Sequence, residues 1–131
     1  MAEVTALEAD LEEILAPVGD AAIVAFHDAY GYLSHRFGVN VVGTIALGDA
    51  APPGAARLAE LRDMLRAGEV VCIFPEVNHS SRYVDMLVEG TDTRVGEMLD
   101  PAGVAMEPGP GLYGDLMRTL ASSIADCVTA G

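Results

Sequence analysis

Residues 21–26 read Ala-Ala-Ile-Val-Ala-Phe, and the polar pair His27-Asp28 follows them directly. A short apolar run without polar alternation is typical of a strand that is buried on both faces of a parallel sheet. Working outward from this strand, segments with helical and strand periodicity alternate along the chain. The sequence therefore predicts an α/β fold with a mostly parallel sheet of about four strands flanked by helices.

Five helices and three further strands are predicted around this first strand. The helices are expected at about 4–16, 29–37, 54–67, 81–89 and 112–129, and the further strands at about 39–47, 70–74 and 93–99. Asp28 is the expected N-cap of the second helix, and Gly38 is the residue expected just after its end. No internal repeat or interdomain linker interrupts the pattern, so a single domain is predicted.

Composition excludes several classes of function. The chain has 131 residues, of which 51% are hydrophobic, and its 20 acidic residues outnumber 7 arginines to give a net charge of −13. Such a surface repels phosphate backbones and anionic membranes and attracts cations. No apolar run approaches the roughly 18–20 residues of a membrane span, and residues 1–4 lack the features of a signal peptide. We therefore expect neither a nucleic-acid partner nor membrane insertion.

Polar side chains follow three of the predicted strands. His27 and Asp28 come after the first strand, Glu76 after the third and Asp100 after the fourth. Parallel sheets bind ligands at the carboxyl ends of their strands, and these residues are expected to share that edge. One imidazole with several carboxylates suits a divalent cation of the zinc or manganese type.

Each of these residues also has a purely structural interpretation, which the spacing alone leaves open. Asp28 would be a helix cap, Glu76 would bond backbone N–H groups, Asp100 would be a turn residue, and His27 would be an ordinary half-buried histidine. The other two histidines, His35 and His79, are expected at the surface. No self-contained metal motif is present in the sequence.

Several motifs together resemble a known family. They are Phe26-His27-Asp28-Ala29-Tyr30-Gly31-Tyr32-Leu33, Pro53-Gly54-Ala55-Ala56-Arg57-Leu58, Cys72-Ile73-Phe74-Pro75-Glu76, Leu99-Asp100-Pro101-Ala102-Gly103 and the last cysteine, Cys127. Their order and spacing resemble those of the periplasmic zinc-binding proteins that serve ABC importers, the ZnuA-like members of the TroA-type cluster A-I group. Proteins of this group have two α/β lobes joined by one long helix, with the metal between the lobes. By this resemblance, residues 1–17 are the end of the linking helix and residues 18–131 are the C-terminal lobe.

The resemblance also implies roles for individual residues. His27 corresponds to a metal ligand, and Asp100 to a residue that is a ligand in some members and a near neighbour of the metal in others. Glu76 corresponds to a glutamate that orients groups around the site, where Asp28 is a further candidate for such a supporting role. Cys72 and Cys127 correspond to the disulfide pair of the zinc-specific members.

The chain departs from the family pattern where the remaining ligands would be. The other histidine ligands belong to an N-terminal lobe that this sequence lacks, as it lacks the His/Asp-rich loop and a signal peptide. We therefore expect half of an interlobe site, with zinc bound weakly or not at all by the isolated lobe. The parent protein is expected to be periplasmic, to prefer zinc to manganese and to deliver its metal to an ABC permease.

Two further expectations complete the sequence-based interpretation. The apolar residues of the first helix would lose partner surface without the other lobe, which predicts a homodimer through residues 4–16. The main alternative function is a small metal-assisted hydrolase that uses His27, Asp28, Glu76 and Asp100; a bare structural domain is a third possibility. We expect no enzymatic activity, because the sequence places no activated nucleophile beside a base and contains no phosphate-binding loop.

Overall fold

The computed structural model describes residues 2–28, 30–46, 54–77, 81–100, 109 and 111–130. In this part of the chain there are five α-helices, one 3₁₀ turn and four strands. In chain order they are α1 (Ala2–Leu15), the 3₁₀ turn (Ala16–Val18), β1 (Ala22–Ala25), α2 (Gly31–Phe37), β2 (Asn40–Thr44), α3 (Ala55–Arg66), β3 (Cys72–Ile73), α4 (Arg82–Val88), β4 (Arg94–Val95) and α5 (Leu112–Thr129).

The four described strands form one parallel sheet in the order β2-β1-β3-β4. In the register, Ile23 of β1 lies between Val41 of β2 and Cys72 of β3. The predicted α/β fold with a parallel sheet is therefore confirmed. Most strands are shorter than the apolar runs suggested, and β4, predicted at 93–99, covers two residues. β4 lies at the edge of the sheet, where it pairs with β3 on one side.

Successive residues of the central strands belong to two different cores. Ile23 and Ala25 pack in a core with residues of α1 and α5, whereas Val24 packs in a core with residues of α3 and α4. The alternation follows from the two-residue period of a strand and from helices on both faces of the sheet. The first core also contains Cys72, and the second contains Ile73.

The first helix is part of this domain rather than a loosely attached segment. Leu7, Leu11 and Leu15 are buried in the same core as β1 and α5, and Ile14 packs partly against it. Among the side chains of α1 that the structure describes, residues 5–15, the leucines and Ile14 are therefore buried or partly buried and form no exposed apolar stripe of the kind from which we predicted a dimer. Self-association through residues 4–16 remains a prediction without that support.

The second helix begins later than predicted. Tyr30 is its N-cap residue and makes no capping bond with its side chain, so the prediction of Asp28 as the N-cap is wrong. The helix start is set instead by Tyr30, whose side chain is buried in the core. Gly38 ends the helix in the left-handed conformation with φ of 74°, as predicted, because glycine adopts this conformation without a Cβ clash.

A disulfide joins the sheet to the last helix. Cys72 of β3 and Cys127 of α5 are bonded, with their Cα atoms 6.4 Å apart, and both residues are buried. The pairing implied by the family resemblance is present. No helix in the described part of the chain has both the length and the apolar character needed to cross a membrane.

Candidate metal centre

His27 lies just beyond the carboxyl end of β1, which is the edge of the sheet where the sequence predicts a site. Its side chain is 16% exposed, and its Nδ1 atom lies 2.7 Å from Oε1 of Glu76. An imidazole held by a carboxylate through one nitrogen presents the other nitrogen to a ligand. This is the usual arrangement of histidines that bind metals.

Glu76 reaches His27 because the chain continues to pair after β3 has ended. A parallel bridge joins Glu76 to Leu99, with the amide of Leu99 bonded to the carbonyl of Pro75 at 2.8 Å and that of Val77 bonded to the carbonyl of Leu99 at 3.0 Å. Glu76 is only 2% exposed, and a buried carboxylate requires polar partners. The pairing also places Asp100, the residue after Leu99, beside the same end of the sheet.

Tyr30 supplies the second partner of the buried carboxylate. Its hydroxyl donates a hydrogen bond of 2.8 Å to Oε2 of Glu76. Burial, reinforced by the hydrogen bond to Glu76 and by the negative charges of Glu76 and Asp100, raises the pKa of Tyr30 well above its ordinary value. The Tyr30 hydroxyl therefore keeps its proton.

The other predicted site residues are placed differently. Asp28 is exposed, but with His27 and the exposed His35 it lines a cleft of about 280 Å³ beside the start of α2. His79 lies outside the described residues. Asp100 is half-buried. The described residues contain no group of three or more His, Cys, Asp or Glu side chains able to hold a metal ion.

Sequence reasoning missed Tyr30. The signal in the sequence was the position of this tyrosine between the end of a strand and the start of a helix. The apolar face of that segment points inward and includes Tyr30. A buried tyrosine usually finds a partner for its hydroxyl, so a nearby buried acid was the group to look for. That acid is 46 positions away in sequence, and only the sheet brings it into contact.

Solved structures with the same architecture indicate the class of protein. The chain superposes on a crystal structure of ZnuA with a TM-score of 0.77, covering 98% of this chain and 46% of that one at 21% identity. It also superposes on the solute-binding protein FpvC from Pseudomonas aeruginosa in complex with Mn²⁺ (TM-score 0.76, 25% identity, 96% and 46% covered). The class is therefore an α/β lobe of the kind found in solute-binding proteins.

Sequence comparison identifies the family. The family model ZnuA, described as zinc-uptake complex component A, periplasmic, matches residues 1–127, and the chain belongs to this family. The high-affinity zinc uptake system protein ZnuA of Paracoccus denitrificans is 41% identical over 98% of this chain and 39% of its own length. The protein of the same description from Brucella suis biovar 1 is 38% identical over 95% and 37%. The chain thus spans about two fifths of the length of these curated relatives.

Proposed function

We propose that this chain provides one lobe of a zinc-binding protein that supplies an ABC importer, and that His27 is its principal contribution to a site shared between two lobes. The observation that carries the proposal is the contact of 2.7 Å between Nδ1 of His27 and Oε1 of Glu76, because histidines that bind metals through one ring nitrogen are commonly oriented by a carboxylate at the other. Family membership and the descriptions of the relatives as zinc uptake proteins support zinc as the cargo.

Asp100 is proposed as a second ligand or as a close neighbour of the bound metal. It follows Leu99, whose pairing with Glu76 keeps the two acidic residues at the same end of the sheet. Imidazole and carboxylate together suit zinc, which accepts nitrogen and oxygen ligands in a tetrahedral arrangement. Two ligands complete only half of such a set, so we expect weak zinc binding by the chain alone and tight binding once the other lobe contributes its ligands.

We further propose that residues 1–17 are the end of a helix linking two lobes and that residues 18–131 are the C-terminal lobe. α1 packs on α5 and is therefore held by this lobe, as the end of a linking helix would be. A periplasmic location agrees with the family description and with the disulfide, since disulfides persist in oxidising compartments. A permease is the proposed partner of the parent protein.

Capture of a metal, rather than catalysis, is the role that the contacts of Glu76 support. Both of its oxygens are engaged, one by Tyr30 and one by His27. A carboxylate with both oxygens committed is suited to orienting a histidine and poorly placed to act as a general base. The hydrolase that the sequence left as an alternative would need such a base at this edge.

Zinc titration by calorimetry tests the proposal, first on this chain and then on its mixture with a separately produced N-terminal lobe. We expect tight binding only in the mixture, and we expect His27→Ala to weaken it by about 100-fold or more, since loss of an outer partner alone costs roughly 10–100-fold. His35→Ala is the matched control, because His35 is an exposed histidine that lines the same cleft. Tight binding that survives His27→Ala would contradict the proposal.

A further inference from the structure

We propose that Tyr30 is a positioning residue that determines which ring nitrogen of His27 faces the cation, so that the half-site is preformed before metal arrives. The inference rests on the proposed function, because it concerns how the same histidine is prepared for binding. It is carried by three groups in a row, namely the Tyr30 hydroxyl, the Glu76 carboxylate and the His27 imidazole.

The position of the proton on His27 depends on its contact with Glu76. Nδ1 of His27 lies 2.7 Å from Oε1 of Glu76, and at that separation a proton on Nδ1 is favoured over two lone pairs that face each other. A neutral imidazole has one N–H and one bare nitrogen. A proton on Nδ1 therefore leaves Nε2 bare, and the bare nitrogen is the one that binds a metal.

The Glu76 carboxylate is held in turn by the Tyr30 hydroxyl. Glu76 is buried, and its Oε2 accepts the Tyr30 hydroxyl at 2.8 Å, which fixes the plane of the carboxylate and directs Oε1 toward His27. Without the hydroxyl, Oε2 would be left without this donor inside the protein, and the carboxylate would turn to share its oxygens among the remaining donors. His27 would then lose the constraint that selects one tautomer.

Tyr30 is itself fixed by its surroundings and is therefore well suited to hold Glu76. It is 4% exposed and packs in the core formed by β1, α1 and α5, and its carbonyl accepts the amide of Ser34 in the first turn of α2. A side chain fixed by packing loses little additional entropy when its hydroxyl is bonded. Core packing therefore restrains Tyr30, the Tyr30 hydroxyl restrains Glu76, and Glu76 orients His27.

The test is nitrogen NMR of the metal-free 131-residue chain labelled with ¹⁵N-histidine, at a pH where His27 is neutral. Long-range ¹H–¹⁵N correlations distinguish protonated from bare ring nitrogens. We expect His27 in the native chain to be protonated at Nδ1 and bare at Nε2. In Tyr30→Phe we expect a mixture of both tautomers. When the variant is combined with the N-terminal lobe, we also expect zinc binding roughly tenfold weaker than that of the native chain, which is the lower end of the range for outer partners.

Tyr32→Phe is the matched control, because Tyr32 lies in the first turn of α2, two residues after Tyr30, but is 42% exposed. It should leave both the tautomer and the zinc affinity unchanged. Should Tyr30→Phe fail to fold, as judged by circular dichroism, Glu76→Gln provides the second variant. It keeps the shape of the side chain, removes the charge that selects the Nδ1 proton and should produce the same mixture of tautomers.

Two results would overturn the inference. One is a native His27 that carries its proton on Nε2. The other is a folded Tyr30→Phe that retains a single Nδ1-protonated tautomer and the native zinc affinity. Either result leaves the proposed function standing as long as His27→Ala weakens zinc binding by about 100-fold or more. The proposed function would instead fail if His27→Ala left zinc binding unchanged. The two failures are distinguishable, because the tautomer is measured without metal.

Discussion

The two faces of the sheet are covered by helices in different ways. On the face covered by α1 and α5, the apolar core is supplemented by the Cys72–Cys127 disulfide and by Arg94, which bonds the last carbonyls of α5. On the face covered by α3 and α4, the core residues are apolar, with Leu61 and Leu65 of α3 packed against Val24. One face therefore combines a covalent cross-link and two hydrogen bonds to the end of α5 with apolar packing, whereas the other combines apolar packing with one hydrogen bond from Arg57 of α3 to the carbonyl of Thr44 of β2.

The candidate metal centre is attached to the cross-linked face. Cys72, Phe74 and Glu76 alternate along one stretch of chain, so the carboxylate continues the row of side chains that starts with the disulfide. Tyr30, the other partner of Glu76, belongs to the same core. The comparison indicates that the face with the stronger restraints is also the one that positions the ligand, as a preorganised site requires.

Reduction of the disulfide is expected to produce the largest effect. The disulfide joins residues that are 55 positions apart in sequence, and closing a loop of this length stabilises the folded state by about 4 kcal/mol in the chain-entropy description. Urea unfolding of oxidised and reduced protein should show this loss of unfolding free energy. A Cys72→Ala/Cys127→Ala variant is the control, because reductant should not change its stability. An unchanged midpoint on reduction would show that the two faces are held equally well without the cross-link.

Truncation on the other face should be the next largest effect. Leu61 of α3 is fully buried, so Leu61→Ala should lower the free energy of unfolding by about 3 kcal/mol through lost burial and the resulting cavity. Leu58→Ala on the same helix is the control and should cost less, because Leu58 is only partly buried. Zinc affinity should not change in Leu61→Ala; a marked loss would mean that both faces position the site.

Removal of the Arg94 side-chain contacts should produce the smallest of the three effects. Arg94 donates from Nε to the carbonyl of Cys127 at 2.9 Å and from Nη2 to that of Val128 at 2.6 Å. Arg94→Met keeps the aliphatic part of the side chain and should cost about 2 kcal/mol, since it leaves two carbonyls of the last turn of α5 without these donors.

Arg118→Met is the comparison for Arg94→Met, because Arg118 pairs with Asp10 at 2.9 Å at the surface. Exposed pairs are worth about 0–1 kcal/mol and are screened by salt. Equal losses in the two variants would show that Arg94 adds nothing to the cross-linked face beyond an ordinary surface contact.

Sequence patterns predicted the elements well where burial alone determines them. The apolar run of β1 and the apolar stripe of α5 were located closely, because most of β1 is buried and α5 is buried along one side from Met117 to Cys127. The ends of the strands were predicted less accurately. Pairing ends where a neighbouring strand turns away, and that point depends on residues far along the chain. The start of α2 was wrong because the burial of Tyr30 outweighed the capping preference of Asp28.

By itself, the sequence determined the α/β class, the edge of the sheet that carries the polar residues and the family to which the motifs belong. These features depend on local periodicity and on residue types at fixed positions, and both can be read along the chain. The tertiary structure alone decided that Glu76 is buried and contacts both Tyr30 and His27. Such contacts join residues that are distant in sequence, and they depend on sheet register and core packing, which no local pattern encodes.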